Sequence, residues 1–164
     1  MELRLVAADP DPVLLQIYRT YFSTFGFEVA TAEDALECVA LLRGFDPDVL
    51  VLNLELTWGC AEGVLSIIRE DREMQPIPVV LTVGERRRST VVKYLVPPVV
   101  KVFEKPFRLR DLRAAIESAL RMHVQQWSPR VADAPAASGG NVDQPDLVHK
   151  LSSTHINQEG SRHV

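Results

Sequence analysis

Short apolar runs alternate along this chain with stretches whose apolar residues return every three or four positions, a pattern that predicts strands alternating with helices. Leu3 to Ala8 reads as a buried strand, and Asp9-Pro10-Asp11-Pro12 turns the chain behind it. Asp11 is placed to cap a helix whose first residue is Pro12, because proline lacks only an N–H that would be unpaired there. Leu14, Ile17, Tyr18, Tyr21, Phe22 and Phe25 recur at helical spacing until Gly26. Phe27 to Ala30 predicts a second strand. Thr31, with Asp34 three residues on, predicts a capping box for a helix that buries Ala35, Leu36, Val39 and Leu42 and stops at Gly44.

After the turn at Asp46-Pro47, Val49 to Leu52 has the look of a strand buried on both faces, with Asn53 at its carboxyl end. A loop through Trp58, Gly59 and Gly63 leads to a helix with Val64, Leu65, Ile67 and Ile68 inward. Ile77 to Val83 and Val99 to Phe103 predict the fourth and fifth strands, and Glu85 to Leu95 a helix between them. A last helix, Arg108 to about Gln125, buries Leu109, Leu112, Ile116 and Leu120 and turns its arginines outward. Connections this short require right-handed crossovers, so the expected fold is α/β: a doubly wound five-stranded parallel sheet in a three-layer sandwich. Such folds work at the carboxyl ends of their strands, which here points to Asp9, Asn53, Thr82 and Lys105. From Ser128 the chain turns to Pro, Ala, Ser and Gly and then to polar residues, so the expected division is a folded domain over 1–127 and a disordered tail over 128–164. Three of the four histidines fall in that tail at separations that fit no metal-ligand pattern.

Composition narrows the class. Apolar residues make up 46% and charged residues 24%, enough for a self-supporting core. No apolar run reaches the length of a membrane span, and Met1-Glu2-Leu3-Arg4 is too short and too charged a start for a signal peptide. Only Cys38 and Cys60 occur, without CxxC spacing, so neither a disulfide framework nor a zinc site is expected. The expected compartment is the cytoplasm. A formal net charge of −4 exerts no strong pull on nucleic acid. The charge is uneven, however: Arg86, Arg87, Arg88, Lys93, Lys101, Lys105, Arg108, Arg110, Arg113 and Arg121 all lie in the second half of the domain.

Five features in order resemble a response-regulator receiver domain. They are Asp9 closing the first strand, the run Pro47 to Leu56 with Asn53 in its middle, Gly63 before the third helix, Thr82 after Val79-Val80-Leu81, and Lys105-Pro106-Phe107. The resemblance covers roughly residues 3–125. It implies a flavodoxin-like strand order of 2-1-3-4-5 and a cis bond before Pro106. It also implies a pocket in which a carboxylate nucleophile at position 53 forms an acyl phosphate. A magnesium ion held by an acidic pair would neutralise charge there, Lys105 would pair with the phosphoryl group, and Thr82 would act as a switch.

The chain departs from that pattern. Asn53 has no ionisable carboxylate. The acidic pair is short of one member, with Pro10 in place of the second acid or, one residue out of register, Ala8 in place of the first; Asp11 leaves the register open. Val102 stands at the aromatic switch position. Magnesium is therefore expected to bind weakly at Asp9 or not at all, and no other cofactor is implied. Lys105 without a phosphate partner reads as an ion pair for Asp9, and Thr82 reads equally as a switch or as a packed strand threonine. Glu55 is the nearest substitute acceptor if the strand continues past Asn53. The function expected is a receiver that signals without phosphorylation and is no enzyme, docking through its last two helices on an acidic protein surface by Arg86, Arg87, Arg88 and Arg110. Two alternatives are a flavodoxin-like cofactor binder, which the acidic 9–12 turn opposes, and a nucleic-acid binder using the arginine run, which the net charge opposes.

Overall fold

The computed structural model describes residues 2–72, 74–84 and 91–126. Five strands, β1 (Leu3–Ala8), β2 (Phe27–Ala32), β3 (Val49–Asn53), β4 (Val79–Val83) and β5 (Val99–Glu104), form one parallel sheet in the order β2-β1-β3-β4-β5. Among the described residues four helices cover it: α1 (Pro12–Ser23), α2 (Ala35–Gly44), α3 (Cys60–Glu70) and α4 (Leu109–Gln126). The fold class and strand order read from the sequence are those observed.

Alternation along the strands sorts the core into two layers. Val6, Ala8, Leu50, Leu52, Val79, Leu81 and Val83 pack toward α2 and α3 with Cys38, Leu42, Val64, Leu65 and Ile68. Leu3, Leu5, Ala7, Val49, Val51 and Val80 pack toward α1 and α4 with Tyr18, Phe22, Leu112, Ile116 and Leu120. β1, β3 and β4 are buried along nearly their whole length, the mark of strands covered on both faces. The edge strand β5 is largely uncovered beyond Val99.

Helix starts are set by side chains. Asp11 caps α1, its Oδ1 accepting from the backbone N–H groups of Val13 at 2.9 Å and Leu14 at 3.3 Å, with Pro12 first in the helix. α2 departs from expectation. β2 runs on to Ala32 because all six of its residues pair with β1, which takes Thr31 into the sheet. Asp34 is the cap instead, accepting from the Glu37 N–H at 2.9 Å, while the Glu37 carboxylate accepts from the Glu33 N–H at 2.8 Å. The helix begins later than Thr31 would start it, so its inward face is Ala35, Cys38 and Leu42; Leu36 is 70% exposed and Val39 half-buried. Burial, with Asp34 nearby, pushes the Cys38 thiol up to about 12, well outside its reactive range. In α1, Leu15, Tyr18 and Phe22 are buried and Ile17 is exposed.

Of the helix expected over Glu85–Leu95, residues 91–94 form a single 3₁₀ turn, and residues 85–90 lie outside the described residues. In α4, Leu112, Ile116, Ala119 and Leu120 are buried and Leu109 is half-buried. Arg113 does not face outward as its fellow arginines do. It lies 3.9 Å from the Phe25 ring and pairs with Glu117 at 3.4 Å. The tail assigned to 128–164 is outside the described residues.

Candidate functional site

Parity along the strands brings the polar residues together. Asp9 follows Ala7, Asn53 follows Val51 and Thr82 follows Val80 by two residues each, so all three continue the rows that face α1 and α4. Asn53 is in register with Thr82, and β1 ends opposite Leu52, one residue before Asn53. Backbone bonds carry the alignment past the strand ends. The Asp9 N–H donates to the Ala32 carbonyl at 3.0 Å, Leu54 to Thr82 at 2.9 Å and Lys105 to Val83 at 2.8 Å. The Lys105–Pro106 peptide is cis, as the resemblance implied, and Lys105 turns its side chain back over the sheet.

The result is a closed polar cluster. Asp9 is 1% exposed, Asn53 and Thr82 are 0% exposed, and only the Lys105 side chain reaches water, at 25%. Asp9 Oδ2 accepts from Asn53 Nδ2 at 2.7 Å and from Lys105 Nζ at 2.6 Å, while Oδ1 accepts from the Asp11 N–H at 3.0 Å. Asn53 Oδ1 accepts from the Glu55 N–H at 2.7 Å. That last bond fixes the amide's orientation, since a backbone N–H can only donate and must face the oxygen. The nitrogen therefore faces Asp9. One buried carboxylate is balanced by one ammonium and one amide, and the cluster carries no net charge.

Four of the residues named from the sequence thus meet: Asp9, Asn53, Thr82 and Lys105. Asp11 meets them only through its backbone, because its carboxylate caps α1. Ala8 is packed in the core and Pro10 is exposed, so neither neighbour supplies a second carboxylate. Glu55 lies outside the cluster. The strand ends at Asn53 rather than running on, and the exposed Glu55 carboxylate rests on Gly84, where a Cβ would come 2.8 Å from its Oε1. Thr82 Oγ1 is buried without a hydrogen-bond partner among the described residues. Val102 is half-buried at its expected place, with Phe103 next to it stacked edge-on against Phe107. Arg110 is exposed in the first turn of α4 and 3.6 Å from Asp111, and it takes no part in the cluster; Arg86, Arg87 and Arg88 are outside the described residues.

The donor set does not suit a magnesium ion, which takes hard oxygen ligands. The one buried carboxylate of the cluster already accepts from two N–H donors at Oδ2 and from a third at Oδ1. Among the described residues no three His, Cys, Asp or Glu side chains converge.

Two features had no sequence signal. The Tyr18 hydroxyl is buried on this side of the sheet without a partner among the described residues, and burial first, then Asp9 and Asp11, push its ionisation up. Trp58 and Cys60 hold positive φ angles of 50° and 51° on either side of Gly59 at 110°. Only that glycine marked the turn.

Comparison with known proteins agrees with the geometry. The family model for the response regulator receiver domain matches residues 5–117. The signal receiver domain of a putative Luxo repressor protein from Vibrio parahaemolyticus superposes with a TM-score of 0.70 at 17% identity, covering 77% of this chain and 95% of that one. A CheY-like response regulator receiver domain protein from Methanospirillum hungatei gives 0.69 at 19% identity, covering 77% and 99%. The receiver domain of the Francisella response regulator 1452 gives 0.66 at 20%, covering 73% and 98%. At such identities the structural likeness speaks for the fold.

Proposed function

The chain belongs to the response regulator receiver domain family, and on that premise we propose that it works in two-component signalling without being phosphorylated, by standing contact with a protein partner. The observation that carries this reading is the Asn53 amide donating to Asp9. An amide oxygen is a poor nucleophile, and here it is already engaged by the Glu55 N–H. Lys105, the group that would meet a phosphoryl oxygen, is drawn onto Asp9. The Asp9 carboxylate is paired as it stands, leaving no unmet charge for a phosphoryl group or a metal to complete, and of the cluster's side chains only the Thr82 hydroxyl lacks a partner among the described residues.

A receiver that does not switch acts through a constant surface. Support for the face around β5 and α4 comes from exposed apolar side chains, Val92 at 76%, Leu95 at 54%, Val96 at 47% and Val100 at 40%, set among Lys93, Lys101 and Arg110. Exposed apolar residues interspersed in sequence with cations suit a partner with an acidic rim, to which Arg86, Arg87 and Arg88 would add bidentate contacts. No described helix is long and apolar enough to cross a membrane.

The test is incubation with acetyl phosphate and magnesium followed by intact-mass measurement. The expected outcome is no gain of mass. A base-labile gain of one phosphoryl group that maps to the pocket contradicts the proposal.

A further inference from the structure

Two large apolar side chains stand out of the fold at one place that the basic face does not include. The Ala35 N–H donates to the Thr57 carbonyl at 3.1 Å, Asp34 forms a parallel bridge with Thr57, and a Cβ on Gly59 would lie 3.3 Å from that of Ala35. The start of α2 is therefore seamed to the loop after β3, and Leu36 and Trp58 flank the seam. Leu36 is 70% exposed and Trp58 77%. Tryptophan has the most apolar surface to lose to water. The φ of 50° at Trp58 is a backbone conformation that side-chain-bearing residues avoid. A loop that served only to connect would favour neither.

The sequence on both sides of the seam is acidic. No lysine or arginine occurs between residues 20 and 42 or between 44 and 68. Glu33, Glu37 and Glu55 are exposed, and Asp34 is half-buried at the seam. Glu62 belongs elsewhere, since it accepts from the Tyr94 hydroxyl and its carboxyl is lowered chiefly by that bond, with Lys93 also near. Arg19, the preceding cation in the chain, is held by Thr31 at 2.5 Å, and Lys105 by Asp9 at 2.6 Å.

We infer that this seam is a docking site for a basic segment of a partner protein, with apolar side chains seated over Leu36 and Trp58 and lysines or arginines facing Glu33 and Glu37. Apolar anchors in a charged rim are the usual anatomy of a specific interface, the anchors carrying affinity and the rim steering and register. The start of α2 follows β2, at the edge of the sheet opposite β5.

The experiment uses the full chain with Trp127→Phe, which leaves Trp58 as its one indole, because the sequence holds two tryptophans. The probe is a synthetic amphipathic peptide of lysine and leucine; the comparison peptides carry alanine for leucine or glutamate for lysine. The lysine–leucine peptide is expected to shift Trp58 emission to the blue, with an affinity that falls as salt is added. Calorimetry with Trp58→Ser or Leu36→Ser is expected to show a loss of about tenfold, as for a central anchor, as are both comparison peptides on the parent chain. Circular dichroism of these variants stays that of the parent, since both side chains are exposed. Equal affinity in the serine variants, or no shift of the indole emission, overturns the inference. So does sedimentation of the peptide-free chain as a larger species that Trp58→Ser dissociates, which would make a second copy the occupant.

Discussion

Asn53 does with an amide what a metal-dependent pocket does with a cation: it faces a buried carboxylate without adding negative charge. With Asp9 at 1% exposure, the alternatives are stark, because an uncompensated buried charge is among the costliest defects a fold can hold. Lys105 supplies the compensating charge. Replacing it, Lys105→Met, is expected to destabilise the domain at neutral pH by on the order of 3 kcal/mol, the lower end for a stranded buried charge, because water can reach the place of a partly exposed ammonium. The loss should shrink as the pH is lowered, since protonating the stranded carboxylate removes the charge and the folded chain then holds the extra proton. Denaturant melts across the pH range check both the size and the sign; a loss that is flat with pH would mean that Lys105 matters for packing alone.

At this scale most of the site was legible. Asp9, Asn53, Thr82 and Lys105 each end a strand or follow one, and a parallel sheet puts strand ends together whatever its loops do. The role of Asp11 was legible in only one of its two readings. A carboxylate one residue before a helix beginning with proline is drawn to that helix's free N–H groups, and this wins over the pocket. The unpartnered Tyr18 hydroxyl was not legible, because a tyrosine at helical spacing reads as core whichever way its oxygen points.

Elements were read more surely than their ends. Every described strand and all four helices lie where periodicity put them. Apart from the helix expected over Glu85–Leu95, whose described residues 91–94 form only a 3₁₀ turn, the errors are at boundaries, and each has a local cause. Thr31 satisfied a capping pattern, but six-residue pairing with β1 held it in β2, and Asp34 capped the helix three residues later. That slip turned the inward face of α2 from Leu36 to Cys38. Asp34→Ala is accordingly expected to cost about 1 kcal/mol, the usual loss of a helix cap, and Thr31→Ala about 0.5 kcal/mol or less, as for an ordinary surface change. Paired urea melts of the two variants give the comparison, and a larger loss at Thr31 would return the cap to it. The stretch around residues 91–94 is a 3₁₀ turn before Pro97-Pro98, where proline forbids a regular helix and the sequence pattern alone could not say how much of one survived.

Taken whole, the domain is charged in two halves. Residues 20–42 and 44–68 hold no cation, while ten lysines and arginines fall between 86 and 121. Such separation sets association more than stability, since scattered surface charges contribute little to folding. Reversing Arg86, Arg87, Arg88 and Arg110 together to glutamate is expected to leave the circular dichroism spectrum and melting temperature nearly unchanged. Binding of the partner that the native chain retains should weaken, more at low salt than at high. Unchanged binding would reduce the basic run to a solvated face. The exposed apolar residues on the two faces were beyond reach of the sequence, because exposure depends on which helix or loop covers a strand, and periodicity does not report that.

On this reading the Asn53 amide closes the pocket by donating to Asp9, whose charge Lys105 balances. Thermal melts with and without millimolar magnesium, on the native chain beside Asn53→Asp, test it most directly. Asn53→Asp would set two carboxylate oxygens where an N–H now donates across 2.7 Å, a pair that needs a proton or a metal between them. A ligand raises stability only in so far as the folded state binds it. Magnesium is expected to leave the melting temperature of the native chain almost where it was and to raise that of Asn53→Asp clearly. An equal rise in the native chain, abolished by Asp9→Ala, would show a working metal site and contradict it.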